Sequence, residues 1–468
     1  FALQRSVVID PDETVPVVVT LGAGRSLPEV RNLLARYRNR DPMEVLTSVT
    51  ASWRDRLGVI QVATPDAAMN LMLNGWLMYQ TLACRMLGRS GYYQASGAFG
   101  FRDQLQDSMA TVMVDQPMAR HHLLRAAGRQ FREGDVQHWW LPDAGEPAAG
   151  QASATGRGIR TRISDDSVWL AAAVERYVTV TGDLGVLDEQ VPWLEGRALA
   201  DGETEHFFAP DVSRDTASVY EHAKAGLRHA FHYGVHGLPL MGTGDWNDGM
   251  NRVGAGGAGE SVWLGWFLHR TLADFLPMAN WRGDTDFAGL CRQQMRRLAS
   301  ALEEHGWDGG WYRRAYFDDG TPLGSAARRE CRIDSIAQSW AVLSGAADPL
   351  HARTAMRALE RQLVDSEHRL ILLFTEPLAE SQPDPGYIRA YPPGVRENGG
   401  QYTHGATWAI FAWAQLGKTD RAYAGFDLLN PITHALTRPT ATTYRVEPYV
   451  VAADIYSGEP YAGRGGWT

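Results

Sequence analysis

Apolar residues recur at helical spacing over most of the chain. After Thr64 they fall at intervals of three and four residues in about twelve segments, each long enough for an α-helix. The segments cover residues 65–87, 103–115, 117–132, 165–181, 188–197, 215–230, 260–277, 284–306, 334–344, 348–366, 404–416 and 419–429. An even number of helices without a sequence repeat predicts helix pairs arranged as an (α/α)6 barrel over residues 61–435. An irregular helical array is the alternative.

The pattern changes towards both ends. The β-branched run Thr14–Leu21 predicts a strand, so residues 1–25 are interpreted as the tail of a β domain. Residues 26–60 return to helical spacing and predict a linker packed on the helices that follow. A strand-like run at Tyr444–Val451 indicates that β structure begins again over residues 436–468.

The composition is that of an ordinary globular protein. Of the 468 residues, 44% are hydrophobic and 21% are charged, which allows a large core. The net charge of −9 disfavours nucleic acid and anionic membranes as partners, because both require a basic surface. No apolar run approaches the ~20 residues that span a bilayer, so no membrane contact is expected of this segment. The chain begins with Phe rather than Met, which indicates a piece of a longer protein.

Cysteine and histidine spacing argues against structural metals and disulfides. The cysteines lie far apart, at Cys84, Cys291 and Cys331. Without a Cys-x-x-Cys pair they predict a reducing compartment, and we expect a cytoplasmic location. His229, His232 and His236 have spacing that could ligate a metal. No acidic residue or Cys stands at zinc-site spacing beside them, so no metal is expected.

The loop Gly242–Arg252 concentrates polar side chains. Its glycines allow tight turns, between which two carboxylates, an indole and two amides converge. A purely structural turn is one alternative. An EF-hand calcium loop fails, because glycines stand at its fifth and twelfth positions, where oxygen ligands are needed. Trp246 belongs to neither alternative, so we interpret the loop as a functional site with Asp248 as its central residue.

Two further loops, residues 89–104 and 392–405, are rich in aromatic and charged side chains and run directly into predicted helices. Loops of this length in a compact domain are usually functional or disordered, and the aromatic residues and adjoining helices argue against disorder. Aromatic rings can stack on sugars while polar groups bind hydroxyls, which favours a carbohydrate ligand. Arg102 and Asp103 fit this role, although Asp103 could instead only cap a helix. No nucleotide-binding glycine motif or Gly-x-Ser-x-Gly elbow occurs.

Four motifs carry a resemblance: Gly-Phe-Arg-Asp-Gln at 100–104, Gly-Asp-Trp-Asn-Asp-Gly at 244–249, Arg-Glu-Asn-Gly-Gly-Gln-Tyr-Thr-His at 396–404 and Tyr-Arg-Val-Glu-Pro-Tyr at 444–449. They resemble glycoside hydrolase family 94, which contains the cellobiose and chitobiose phosphorylases. The resemblance implies an N-terminal β-sandwich, a helical linker, an (α/α)6 barrel and a C-terminal β element. Residues 236–254 resemble the cyclic β-1,2-glucan synthase branch most, which implies β-1,2-linked glucan as substrate.

The resemblance also implies roles for particular residues. Asp248, the second Asp of Trp-Asn-Asp, is the implied general acid, and inorganic phosphate is a co-substrate with no other cofactor. The residues expected to hold the sugar are Arg102, Asp103, Asp245, Trp246, Glu397 and Gln401. Those expected to hold phosphate are Arg89 and His404.

Counting carboxylates favours phosphorolysis, a hexosyl transfer. An inverting hydrolase needs a base to activate water as well as an acid, whereas phosphate arrives as an anionic nucleophile. Asp248 would protonate the glycosidic oxygen while phosphate attacks the anomeric carbon and releases an α-sugar 1-phosphate. Asp248 must then be protonated when substrate binds. We expect burial against Trp246 and the charge of Asp245 to raise its pKa.

Two other functions are compatible with these residues. One is an inverting β-glucan hydrolase with Glu397 or Asp245 as base, and the other is a non-catalytic carbohydrate-binding domain of a larger synthase. Members of the family often form homodimers, so the resemblance is compatible with a homodimer. The likeness to the synthase branch is compatible with a place in the cytoplasmic part of an inner-membrane synthase. In the family the run ending at Thr468 leads into a Thr-Gly loop that completes the phosphate site. A chain that stops here is expected to bind phosphate weakly.

Overall fold

The computed structural model describes residues 2, 4–24, 26–88, 97–141 and 156–466, and these residues are mainly helical. The α-helices of this part are α1 (Leu27–Arg38), α2 (Pro42–Leu57), α3 (Ala67–Leu71), α4 (Leu77–Gln80), α5 (Phe101–Thr111), α6 (Gln116–Ala127), α7 (Asp166–Thr181), α8 (Val219–His229), α9 (Val262–Trp281), α10 (Thr285–Ala301), α11 (Ser335–Leu343), α12 (Pro349–Leu363), α13 (Thr403–Gln415), α14 (Thr419–Leu429), α15 (Pro431–His434) and α16 (Arg438–Tyr444). π-Helical turns lie at Met72–Trp76, Thr81–Leu87 and Leu302–Gly306. Short 3-10 helices lie at Leu184–Asp188, Asp248–Met250 and Tyr387–Ala390.

The strands are short and pair in small antiparallel sheets. They are β1 (Phe99–Gly100), β2 (Gln137–Trp140), β3 (Gly158–Thr161), β4 (Gln190–Glu195), β5 (Glu205–Phe208), β6 (Asp211–Ser218), β7 (Glu260–Ser261), β8 (Ala315–Tyr316), β9 (Pro322–Leu323), β10 (Ile333–Asp334), β11 (Val364–Asp365), β12 (Leu370–Ile371), β13 (Phe374–Thr375), β14 (Gln401–Tyr402) and β15 (Asp454–Ile455). The largest described sheet has the order β1-β2-β3-β5.

The helices pack in two series. α5, α7, α9, α11 and α13 contact one another in succession, and each also contacts the helix that follows it in the chain. α9 and α11 are apolar around most of their circumference and are largely buried, with Trp263, Trp266 and Phe267 in the core. α12 instead buries a single stripe and exposes polar residues. The prediction of a mainly helical chain is confirmed.

Helices lie in every predicted segment except 188–197. There the chain forms β4, which pairs with β6. Pro192 lacks the N–H that a helix interior requires, while Val191 and Trp193 favour a strand. Proline in a short apolar segment was the signal against a helix.

The strands predicted at residues 14–21 and 444–451 are absent, although β15 (Asp454–Ile455) places β structure within residues 436–468 as expected. Residues 14–21 form no strand, because nothing in the described part pairs with them, and Val17, Val18 and Val19 stay exposed. Near the other end, α16 occupies the start of the predicted strand and ends where Arg445 adopts a left-handed conformation (φ 56°). α1 and α2 are helices, as expected of a linker. No helix in the described ranges is long and apolar enough to cross a membrane.

Candidate active site

A cavity of about 440 Å³ lies where several loops meet at the ends of the helices. Among the residues expected to bind ligands, those that line it are Arg102, Asp103, Trp246, Asp248, Glu397 and His404. The structure therefore brings together residues from three loops that are far apart in the sequence. Arg89, expected to bind phosphate, lies outside the described residues.

Short strands place two of these loops. In the four-stranded sheet Gly100 stands opposite Trp139, which sets the start of α5 beside β2. Gly100 is the N-cap of α5, so Asp103 lies in the first turn and is not the cap. Arg102 and Asp103 thus project from the beginning of a helix into the cavity. On the other side, β14 pairs with β15 and leads into α13, which carries His404.

The loop that carries Asp248 is held at several points. Gly242 has a φ of 61°, and a Cβ there would lie 2.0 Å from the Arg162 carbonyl oxygen, so glycine is required. The Ser164 backbone N–H donates to the Gly244 carbonyl at 3.0 Å. The Asn247 side chain accepts from the Gly249 N–H at 3.1 Å and opens the short 3-10 helix that begins at Asp248. These contacts fix the backbone of Asp248 at the cavity wall.

Asp245 lies behind the cavity. Its side chain is 0% exposed, against 36% for the side chain of Asp248. Arg314 donates to both Asp245 carboxylate oxygens, at 2.5 and 2.6 Å, and Ser261 Oγ donates at 2.6 Å. The expectation that Asp245 binds sugar or acts as a hydrolytic base is therefore corrected. The Asp245 carboxylate forms a buried ion pair with Arg314, and this pair supports the loop.

Gln401 is likewise placed outside the cavity lining. Its side chain is fully buried, and its Oε1 accepts from the Ile371 N–H at 2.8 Å. Side chains alternate along a strand, so burying Gln401 turns its neighbour Tyr402 to the cavity. Gln401 was expected to contact the sugar. In the structure its buried side chain instead supports the backbone at Ile371.

Arg102 connects the acidic groups of the site. Its Nη2 donates to Asp248 Oδ1 at 2.5 Å, and its Nη1 donates to Asp165 Oδ1 at 3.0 Å. Nη1 also donates to the Asp245 carbonyl at 2.8 Å. The guanidinium is almost fully buried and holds the loop at two points, the Asp248 side chain and the Asp245 backbone carbonyl.

His138 lies near the other oxygen of Asp248 and was not among the residues predicted for the site. Its Nε2 lies 3.7 Å from Asp248 Oδ2, and its Nδ1 lies 2.8 Å from Asp166 Oδ2. Burial opposes the imidazolium, but Asp166 and Asp248 raise the pKa of His138 well above its ordinary value. The only local signal was a polar residue preceding two tryptophans in β2.

The expected rise in the Asp248 pKa is not found. Burial would raise it, but the Arg102 guanidinium and the His138 imidazolium outweigh burial and hold the pKa of the Asp248 carboxyl well below its ordinary value. The charge of Asp245 cannot supply the expected rise, because Arg314 neutralises it. With these neighbours Asp248 is ionised at neutral pH.

Trp246 fixes the tautomer of His404. The indole Nε1–H can only donate, and it donates to His404 Nδ1 at 3.1 Å. Burial lowers the pKa of His404 to about 4, so the ring is neutral. Its one proton therefore sits on Nε2, which becomes the donor available to a ligand in the cavity that the ring lines.

Glu397 and Arg396 complete the charged lining. Arg396 Nε lies 3.4 Å from Glu397 Oε2. Burial raises the pKa of Glu397, while Arg396 opposes the rise. Arg102 and Arg396 are the arginines among the described lining residues, and Arg396 was not among the residues predicted to bind a ligand. No group of three or more His, Cys, Asp or Glu in the described ranges could hold a metal.

Comparison with known proteins places this site in a family. Residues 52–468 match the catalytic domain of the glycosyl hydrolase 94 superfamily. The chain belongs to this family. The resemblance carried by the four motifs is confirmed. In this chain the Trp-Asn-Asp loop and the Arg102–Asp103 pair meet in one cavity.

Two relatives of this family 94 chain differ in size and described activity. The cyclic β-(1,2)-glucan synthase NdvB of Rhizobium meliloti (strain 1021) is 51% identical over 468 residues, which cover 100% of this chain and 16% of the synthase. The solabiose phosphorylase of Paenibacillus borealis is 31% identical over 487 residues, covering 99% of this chain and 56% of the phosphorylase. The chain thus spans only part of the length of either relative.

A solved structure agrees with the fold. The GH78 family rhamnosidase of Bacillus sp. GL1 matches with a TM-score of 0.50 at 14% identity, covering 86% of this chain and 33% of the rhamnosidase. At this identity the likeness concerns the helical fold alone.

Proposed function

We propose that this family 94 chain catalyses the inverting phosphorolysis of β-linked glucan and releases α-glucose 1-phosphate. One observation carries the proposal: Asp248, held by Arg102, shares a cavity with the neutral N–H donor of His404. The cavity thus combines a carboxyl group suited to proton transfer with a donor suited to an anion. The phosphorylase among the relatives supports the same chemistry.

In this proposal each part of the cavity has a role. Asp248 protonates the glycosidic oxygen while phosphate attacks the anomeric carbon from the opposite face. Arg102 and Asp103 hold hydroxyls of the sugar being transferred. His404 donates to phosphate, and Arg396 is the described cation placed to assist it.

Hydrolysis is the second candidate, because Glu397 lines the same cavity. An inverting hydrolase would use its carboxylate to activate water. However, the neutral N–H donor of His404 in the same cavity is suited to an anionic nucleophile rather than to water. Phosphorolysis needs no such base and is therefore preferred.

The helix contacts support an (α/α)6 arrangement of residues 61–435. In it α5, α7, α9, α11 and α13 form an inner ring with the helical segment 67–87, and the intervening helices form the outer ring. Ring closure is supported by a groove that Met72 and Leu77 share with Thr403 and Thr407. An experimental structure with an open row of helices would contradict this arrangement.

An array of β-linked glucans tests the function. With inorganic phosphate we expect α-glucose 1-phosphate to form, fastest from β-1,2-linked oligomers, because the chain is 51% identical to a cyclic β-(1,2)-glucan synthase. Without phosphate we expect no sugar release. Phosphate-independent release of glucose would favour the hydrolase, and binding without turnover would favour a carbohydrate-binding domain. Equal rates on cellobiose and sophorose would contradict the β-1,2 preference.

Replacing Trp246 by Phe is expected to weaken phosphate binding selectively. The ring remains, but the indole N–H that fixes the His404 tautomer is lost. A lost hydrogen bond of about 1 kcal/mol raises the phosphate KM about fivefold. Initial rates at varied phosphate and at varied glucan measure this, with ¹⁵N NMR reporting the His404 tautomer. A rise in the glucan KM alone would instead place Trp246 in the sugar subsite.

A further inference from the structure

The proposed acid and the proton it needs are on different side chains of the site. Asp248 is ionised between Arg102 on Oδ1 and His138 near Oδ2. His138 is partly buried, Asp166 and Asp248 raise its pKa well above the ordinary value, and its Nδ1 lies 2.8 Å from Asp166 Oδ2. The His138 Nε2–H therefore lies next to the carboxylate oxygen that Arg102 leaves free.

We propose that His138, positioned by Asp166, delivers to Asp248 the proton that Asp248 then donates to the leaving oxygen. This inference rests on the proposed phosphorolysis. His138 is a positioning and proton-supplying residue that acts through Asp248, and it is distinct from the groups assigned to the sugar and to phosphate. A sugar hydroxyl that engages Arg102 weakens its hold on Asp248, which raises the proton affinity of the carboxylate when substrate binds.

The proton is conserved through the cycle. The Nε2–H bond of the imidazolium breaks as an O–H bond forms at Asp248 Oδ2, and the neutral ring keeps Nδ1–H on Asp166. Asp248 then passes the proton to the glycosidic oxygen. The attacking HPO₄²⁻ carries one proton, which it loses on esterification because the second pKa of a phosphate monoester is about 6. That proton restores the imidazolium.

Proton transfer requires His138 Nε2 and Asp248 Oδ2 to approach each other in the substrate complex. The 3.7 Å between Nε2 and Oδ2 has to shorten to about 2.9 Å, and hydrogen bonds in catalytic sites commonly tighten only when substrate is bound. The groups that face His138 are Asp166 at the start of α7 and Asp248 in the loop. Arg102 of α5 and its partner Asp165 act on it through Asp248.

Leaving-group dependence is the test. For the full chain with phosphate, His138→Gln is expected to slow phosphorolysis of methyl β-glucoside about 10²-fold, because its leaving group needs a proton. p-Nitrophenyl β-glucoside, whose leaving group departs as a stable anion, should react at close to the unaltered rate. His232→Gln, at an exposed histidine outside this cavity, is the matched control and should change neither rate.

The pH profile gives a second measurement. Phosphorolysis of methyl β-glucoside needs the His138 imidazolium as its proton source. The rate should therefore be maximal at pH values below the raised His138 pKa and should fall as the pH rises through that pKa. Asp166→Asn keeps an acceptor for Nδ1–H but removes the charge, so this alkaline limb should move to lower pH.

Each contrary result has a separate meaning. Equal losses on both glucosides, or an alkaline limb that does not move in Asp166→Asn, would overturn the role of His138 and leave phosphorolysis standing. If His138→Gln does not fold, the Asp166→Asn profile decides. If the unaltered protein shows no phosphate-dependent cleavage of either glucoside or of glucan, the proposed phosphorolysis is itself contradicted, and the role of His138 falls with it.

Discussion

Asp248→Asn is expected to lower the rate of glucan phosphorolysis by about 10²–10⁴-fold, the usual contribution of general acid catalysis. The amide cannot donate a proton to the leaving oxygen as a carboxylic acid does. Its oxygen can still accept from Arg102 Nη2, which approaches Asp248 at 2.5 Å, so fold and glucan binding should be kept. Turnover of β-1,2-linked oligomers, glucan affinity by calorimetry and thermal unfolding measure the three quantities.

Asp211→Asn is the matched control, because Asp211 is exposed and does not line the cavity. A near-normal rate for Asp248→Asn would remove Asp248 as the acid. A loss of glucan affinity as large as the loss of rate would show that Asp248 binds glucan and is not the acid.

Asp245→Asn is expected to act on stability. The change leaves the Arg314 guanidinium, which is fully buried, without its bidentate partner, and such a loss costs about 3 kcal/mol. The lower end of the usual range applies because Asp334 Oδ2 remains 3.4 Å from Arg314 Nε. The measurement is the midpoint of denaturant unfolding, with the glucan KM determined where the variant is folded.

Asp245 and Asp248 are only three positions apart in one loop. The same Asp→Asn change at each therefore compares a buried ion-pair residue with a cavity residue. Unchanged stability of Asp245→Asn together with a raised glucan KM would contradict the buried ion pair and return Asp245 to the substrate site.

Several features of the site could be predicted from the sequence because they depend on local residue types. The Gly-rich loop 242–252 could be recognised from glycines that permit its turns, and Asp248 from its motif. Helices such as α9 and α13 follow from apolar periodicity over many residues. Short strands could not be predicted in the same way, since two-residue β1 and β14 exist only through their partners.

The sequence by itself determined the helical character of the chain, the family motifs and the candidate acid, because helical periodicity and loop chemistry are encoded over contiguous residues. Tertiary structure alone decided which of two neighbouring aspartates meets the cavity, since Arg314 lies 69 positions beyond Asp245 in the sequence. It also decided the ionisation of Asp248. That property is set by Arg102 and His138, and the field of a charge depends on distance in space and on burial, neither of which the order of residues reveals.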